Sequence, residues 1–457
     1  MAMPAQAQTA TDEAASAGEG ENTPPPAPPT TFGFEEVASL ASERATRVYE
    51  QPVAEQVGSF ANLTYDQYRA IRFRRDRDPF AGNPRFGMDL LPPGAIFYEP
   101  VNISIVRDGV PHRLEFDPSL LEFDPSQFPD GADLQNKGQM GWSGFRLRTI
   151  LNRPGVMDEF LVFQGATYFR AVARGTIYGL SARGHAIQTG SPDGEEFPLF
   201  TDFWIVEPKP GAESVRIYAI LDSKSVAAAF QFDVTPGAVT MVRTRVALFP
   251  RVDLRETGLA PLTSMFWFSP ASRRVVDDYR PACHDSDGLQ MVTGNGERLW
   301  RALANPAALQ ISAFADRNPR GFGLMQRQIR FEDYYDLEAR YDRRPSLWVE
   351  PIGDWGEGAV HLIEAVGAGH GAGDVEPALG GQGDHRGEVL AGAGSERAPD
   401  GVATAHQLRD RHARGGVPGG DADGHHAAAV GQQRLRQQPG MVMALHHAQV
   451  KLILQHA

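Results

Sequence analysis

Two stretches of the sequence bring carboxylates together with histidine, tyrosine and arginine. One is His284-Asp285-Ser286-Asp287, followed by Gly294-Asn295-Gly296-Glu297. The other is Glu332-Asp333-Tyr334-Tyr335-Asp336, followed by Tyr341-Asp342-Arg343-Arg344-Pro345. Two carboxyls on opposite sides of a glycosidic bond can cleave it, one as acid and the other as base or nucleophile. Asp is also favoured in surface turns, where it bonds its own backbone. From spacing alone both readings stay open. Aromatic residues sit beside polar ones in Tyr168-Phe169-Arg170, Phe203-Trp204, Met265-Phe266-Trp267-Phe268, Trp300-Arg301 and Tyr334-Tyr335. Most such rings belong in a core. The same combination suits sugars, whose rings have apolar C–H faces and hydroxyl edges.

Other chemistries find less support. Cys283 and His284 are adjacent, a poor spacing for ligating one ion, and the chain has no second cysteine. The remaining histidines are irregularly spaced. Gly179-Leu180-Ser181-Ala182-Arg183-Gly184 breaks the nucleophile-elbow order at Arg183. There is no phosphate loop, so neither a metal nor an organic cofactor is expected. The net charge of -13 argues against nucleic acid and anionic membrane surfaces, which need a basic face. No run of 18 apolar residues is present, so no membrane-spanning segment is expected.

The elements that must carry these residues follow from periodicity. Phe34, Val37, Leu40, Ala41, Ala45 and Val48 recur at helical spacing, and Pro52 sets the end of that helix. Thr64 with Gln67 has capping-box spacing and predicts a second, short helix. From about residue 95 to 350 the period becomes two. Val215, Ile217, Ala219 and Leu221 alternate with Arg216, Tyr218 and Ile220. Thr240, Val242, Thr244, Val246 and Leu248 alternate with Met241, Arg243 and Arg245. Pro- and Gly-containing turns punctuate the runs. The expected fold class is all-β, a large antiparallel β-sandwich with short N-terminal helices.

Many strings, in order, resemble the osmoregulated periplasmic glucan biosynthesis G/D family. They include Gly165-Ala166-Thr167-Tyr168-Phe169-Arg170, Tyr178-Gly179-Leu180-Ser181-Ala182-Arg183-Gly184 and Glu195-Glu196-Phe197-Pro198. Ala260-Pro261-Leu262-Thr263-Ser264-Met265-Phe266, His284-Asp285-Ser286-Asp287 and Gly294-Asn295-Gly296-Glu297 belong to the set. So do Asn318-Pro319-Arg320-Gly321-Phe322-Gly323-Leu324, Arg344-Pro345-Ser346-Leu347-Trp348-Val349-Glu350-Pro351 and Trp355-Gly356-Glu357-Gly358. The resemblance runs from about Phe34 to Glu364. It implies a galactose-mutarotase-like supersandwich with a glucan cleft, followed by a smaller immunoglobulin-like domain. It implies export to the periplasm and a part in making β-1,2-glucan, by inverting hydrolysis or transglycosylation of linear β-1,2-glucan. Asp285 lands on the family's base. Sugar contacts are expected at Tyr168, Arg170, Glu297, Trp300, Asp333, Tyr341 and Arg344. The family's acid lies in an Asp-Asn-Ile-Val segment, which this sequence lacks. A second reading is therefore a non-catalytic glucan-binding or scaffold protein working with a membrane glucosyltransferase. A third is an inactive product.

Both ends depart from this pattern. Residues 1–32 are Ala-, Gly-, Glu-, Thr- and Pro-rich and read as a disordered leader. Ala5-Gln6-Ala7 resembles an export cleavage site without its apolar region, which fits a start assigned too far downstream. Residues 33–364 form the expected glucan-binding domain. Composition breaks near Glu364: 365–457 has no Phe, Tyr or Trp yet holds 9 of the 13 histidines. That composition looks like coding sequence read in a wrong frame, with the immunoglobulin-like domain lost. No folded domain is expected there, and Val450-Lys451-Leu452-Ile453-Leu454 is too short to anchor one.

Overall fold

A computed structural model describes residues 31–54, 56–134, 140–254, 256–272, 277–365, 387–393 and 448–456, the backbone alone for 387–393, 448 and 449. Residues 1–30 of the expected leader and most of 365–457 lie outside them. The chain forms two large sheets that share one apolar core, as the period-two patterning predicts.

The ten-stranded sheet runs Phe86–Leu91, Gly144–Ile150, Met157–Gln164, Tyr168–Ala171, Ser181–Arg183, Thr257–Ser264, Gly387–Ala393, Glu357–Glu364, Gln310–Arg317. His185–Ile187 also pairs with Thr257–Ser264. The eleven-stranded sheet runs Arg298–Ala302, Gly288–Val292, Gly321–Met325, Ser346–Ile352, Ala448–Gln455, Val239–Pro250, Val226–Thr235, Val215–Asp222, Leu199–Val206, Asn102–Arg107, Val110–Arg113. Pairing is antiparallel except between Leu199–Val206 and Asn102–Arg107, which are parallel.

The inward positions meet as an aromatic cluster. Phe163 packs against Phe145, Phe169, Phe200, Phe203 and Phe232, with ring centroids 4.8–5.8 Å apart. Val215, Ile217, Ala219 and Leu221 face this core as their alternation requires. Their outward neighbours Tyr218 and Ile220 are buried as well, because helix α1 (Phe34–Ala45) covers that face with Phe34, Val37 and Ala41. Phe32, just before the helix, packs its ring on Trp204 at 5.3 Å. The helix stops at Ala45, short of Pro52; Leu40 and Val48, expected on its apolar face, are exposed. At its end Thr46 caps the last turn, and the Arg251 guanidinium donates to the Arg44 carbonyl at 2.7 Å. Helix α2 (Tyr65–Arg69) has the predicted capping box. Gln67 N donates to Thr64 Oγ1, and Thr64 N donates to Gln67 Oε1.

Two segments of the region read as unstructured from composition are strands, Gly387–Ala393 and Ala448–Gln455. The apolar run at 450–454 builds no domain of its own. It alternates, and a single alternating strand can complete an existing sheet. Val450, Leu452 and Leu454 join the shared core.

His185 and His361 are held neutral in this interior. Burial, aided by Arg183, pulls His185 down to about 3; burial pulls His361 down to about 4. Above pH 6.5 both are neutral folded or unfolded. Below it the unfolded chain takes a proton that the folded His185 refuses until about pH 3, so stability falls as pH drops through that window. In urea titrations, His185→Gln should flatten the acid slope by up to about 1.4 kcal/mol per pH unit. An unchanged slope would show that the folded protein protonates His185 freely.

Candidate functional site

The outward positions of the ten-stranded sheet are polar where the core positions are aromatic. On Tyr168–Ala171, Phe169 and Ala171 face inward, which sends Tyr168 and Arg170 to the other face. On Ser181–Arg183, Ala182 faces inward, which sends Ser181 and Arg183 outward. Arg170 Nε donates to Ser181 Oγ at 2.7 Å. Arg183 pairs with Glu195 at 2.8 Å and lies over the Tyr168 ring at 5.2 Å.

Asp285 is brought to this face by a short hairpin. Cys283–His284 pairs with Phe266–Phe268, and Asp285 N donates to the Met265 carbonyl at 2.8 Å. The next two residues are also tied down. Ser264 Oγ donates to Ser286 Oγ at 2.9 Å. Asp287 Oδ2 accepts the backbone N–H groups of Arg327 and Gln328. His284 is fully buried, stacked on Phe266 and edge-on to Tyr334, with Nε2 3.5 Å from Asp287 Oδ1. Burial lowers its pKa. It is a wall of the site, and no group of metal-ligating residues occurs among the described residues.

Asp285 is 8% exposed, and its carboxylate lies 3.3 Å from Arg344 Nε. That contact is not aligned as a hydrogen bond, so both buried atoms keep bonding capacity for another partner. Arg344 Nη2 donates to the Ala339 carbonyl, and the guanidinium lies over the Tyr341 ring at 5.3 Å. Arg170 belongs to the same electrostatic group. Burial lowers its pKa, the attraction of Asp285 opposes that, and Arg344 adds to it. Around these charges the hydroxyls and the thiol stay protonated. Burial, then neighbouring Cys283, raises Tyr341; burial, then Asp287, raises Tyr334. Burial pushes the Cys283 thiol up to about 11, and it donates to Tyr341 Oη at 3.3 Å. One carboxylate thus sits between guanidinium groups and neutral phenols, an arrangement that can bind polyols and accept a proton.

The expected contacts divide. Tyr341 and Arg344 assemble directly at Asp285, Arg170 through its charge, and Tyr168 one strand position away. Trp300 borders them. Its ring covers Gly288, the Arg327 guanidinium stacks on it at 4.7 Å, and Arg327 N bonds Asp287. Glu297 is exposed in the turn between Gly288–Val292 and Arg298–Ala302, and Asp333 is engaged by Arg330 at 2.9 Å. Among the described residues neither meets Asp285. Other carboxylates nearby are also engaged: Asp278 and Asp336 with Arg280, Asp342 with Arg340.

Two contributors escape a reading by residue type. Tyr178 is half-buried with its hydroxyl turned inward, its pKa raised well above the usual value by burial and then by Glu159. Gly179 leaves room for Arg344: a Cβ there would sit 2.8 Å from Arg344 Cδ. Their signal in the sequence is the family-like string Tyr178-Gly179-Leu180-Ser181-Ala182-Arg183-Gly184, which by itself assigns neither residue a role.

A family model described as "Periplasmic glucan biosynthesis protein, MdoG" matches residues 32–369. Among curated relatives, "Glucans biosynthesis protein G" of Rhodopseudomonas palustris (strain BisA53) is 48% identical over 346 residues, 75% of this chain and 68% of the relative. The protein of the same name from Vibrio cholerae (strain ATCC 39541) is 46% identical over 355 residues, covering 76% and 63%. That from Bradyrhizobium diazoefficiens is 47% identical over 335 residues, covering 73% and 66%. The match thus spans about two thirds of these relatives' length.

The close approach at Gly179 gives a local test. Gly179→Ala should displace Arg344 from Asp285 while leaving the fold intact, because the obstructing atom is on a flexible side chain. We expect far- and near-ultraviolet circular dichroism to be unchanged and sugar binding to weaken about tenfold, on the order of one charge-assisted hydrogen bond. Native binding in a folded Gly179→Ala protein would remove Arg344 from the site.

Proposed function

The chain belongs to the MdoG family of periplasmic glucan biosynthesis proteins, and on that premise we propose that it processes linear β-1,2-glucan at Asp285. Proteins of this family are periplasmic, and the proposal places this chain's activity in that compartment. The observation that carries the reading is the buried Asp285–Arg344 pair, whose facing atoms retain hydrogen-bonding capacity beside neutral phenols. In hydrolysis, water attacks the anomeric carbon, its proton passes to Asp285, and the departing sugar oxygen takes a proton from a general acid. Inversion needs roughly 6.5–9.5 Å between the carboxyls, which leaves room for the water. Tyr341, Arg344, Arg170, Tyr168 and Trp300 bind the sugars in this proposal. Transglycosylation differs only in that a glucan hydroxyl replaces the water.

One observation favours a second reading, binding without turnover. The carboxylates nearest Asp285 are engaged by arginines or backbone donors, and the sequence lacks the Asp-Asn-Ile-Val segment in which the resemblance puts the acid. In that case the chain presents glucan to a membrane glucosyltransferase.

Incubation with linear β-1,2-glucan, with products sized by mass spectrometry, separates the two. Shortened or cyclised chains mean an enzyme, and Asp285→Asn should then cost about 10²–10⁴ in rate without loss of fold. Saturable binding with no change in chain length selects the second reading. Turnover at the native rate in Asp285→Asn would exclude this carboxylate from the chemistry.

A further inference from the structure

The order of the eleven-stranded sheet contains a seam. Ser346–Ile352 and Val239–Pro250 are not paired with each other; each pairs with Ala448–Gln455, which lies between them and is antiparallel to both. The register is continuous on both sides. Val450 stands opposite Thr244 and Pro351, Leu452 opposite Val242 and Val349, and Leu454 opposite Thr240 and Leu347. These three residues are 7%, 3% and 2% exposed. Between them Lys451 stands opposite Arg243 on one rim and ion-pairs with Glu350 on the other, at 3.1 Å.

Among the described residues Ala448–Gln455 pairs only with these two strands. Its departure would break no pairing elsewhere in the sheet. A departing strand would expose two facing rims of unpaired N–H and C=O groups, which is a template for an incoming extended chain. The rims specify their occupant. It must run antiparallel to both, put aliphatic side chains at alternate positions toward the core, and offer a cation opposite Glu350. A cavity lined by Phe230, Phe232, Val246, Leu259, Val450 and Leu452 lies under it and leaves slack for side chains of slightly different shape.

We propose that the slot between Val239–Pro250 and Ser346–Ile352 is a strand-acceptor site. Residues 448–455 are its removable occupant, and an extended peptide of the same alternating pattern binds there in trans. The slot reads Val450, Leu452 and Leu454 on the core side and Lys451 against Glu350. The proposal does not depend on glucan chemistry.

Two experiments on the full-length chain test it. The first introduces Glu350→Cys with Lys451→Cys, oxidises mildly, and maps the cross-link by peptide mass. A 350–451 link is expected within one chain. A link between two copies also supports the proposal, since it means the strand has been exchanged. Two free, alkylatable thiols and no link would overturn the placement. The second uses Leu452→Lys, which puts a charge into the core position and ejects the strand. A dansyl-labelled peptide of residues 448–456 should bind this variant at least tenfold more tightly than it binds the native chain, and the same peptide carrying Leu452→Lys should bind neither. Equal binding of both peptides, or none to the variant, would overturn trans-acceptance. If Leu452→Lys does not fold, the peptide is added to native chain during refolding from urea. Incorporation that rises with peptide concentration supports exchange, and none at hundredfold excess refutes it.

Discussion

The packing of Phe163 among Phe145, Phe169, Phe200, Phe203 and Phe232 is the contact on which the rest depends. It fixes which side of each strand faces the other sheet. Because side chains alternate, a slip of one residue would turn the whole strand over. With Phe169 inward, Arg170 must point to the opposite face; with Ala182 inward, so must Ser181. The outward placement of Arg170 and Ser181 is therefore a by-product of the aromatic core.

The same logic explains what the sequence discloses and what it hides. Alternation at 215–221 and 240–248 is plain because one side of each strand is uniformly apolar. The capping box at Thr64 is plain because both of its hydrogen bonds join residues three apart. Val48 misleads because helical spacing says which residues share a face, not where the helix ends; Leu40, inside the helix, falls at the edge of the apolar stripe and stays exposed. At the helix end Arg251, some two hundred residues away, bonds the Arg44 carbonyl. Asp285, Tyr341 and Arg344 stand out by type and by family likeness, but their meeting is a long-range fact. So is the division among carboxylates: Asp333 and Asp285 are equally acidic on paper, and only the neighbouring arginine geometry separates them. The strands at 387–393 and 448–455 were hidden for a different reason. Composition averages over a segment, whereas a single strand needs only a few alternating residues and two rims to receive them.

Trp300 and Trp348 illustrate how glycine-rich strands are kept in register. Gly288 and Gly321 have no side chains to pack, and each is covered by an indole from the adjacent strand. Cross-strand cover of this kind compensates for the entropy that glycine loses on ordering. In Trp300 the covering role coincides with the stacking of the Arg327 guanidinium, whose backbone N–H bonds Asp287.

The antiparallel insertion of residues 448–455 between strands near 245 and 349 has a consequence for the order of events in synthesis. Ribosomes deliver the chain from its N-terminus, and both rims are made long before the strand that joins them. The sheet therefore cannot close until residues 448–455 have been made. Contacts this distant in sequence also form slowly, since the loop entropy must be lost before the pairing is gained. Throughout that interval Val239–Pro250 and Ser346–Ile352 present open edges to any extended segment nearby. A nascent molecule of this kind is best kept apart from its neighbours until residues 448–455 have paired.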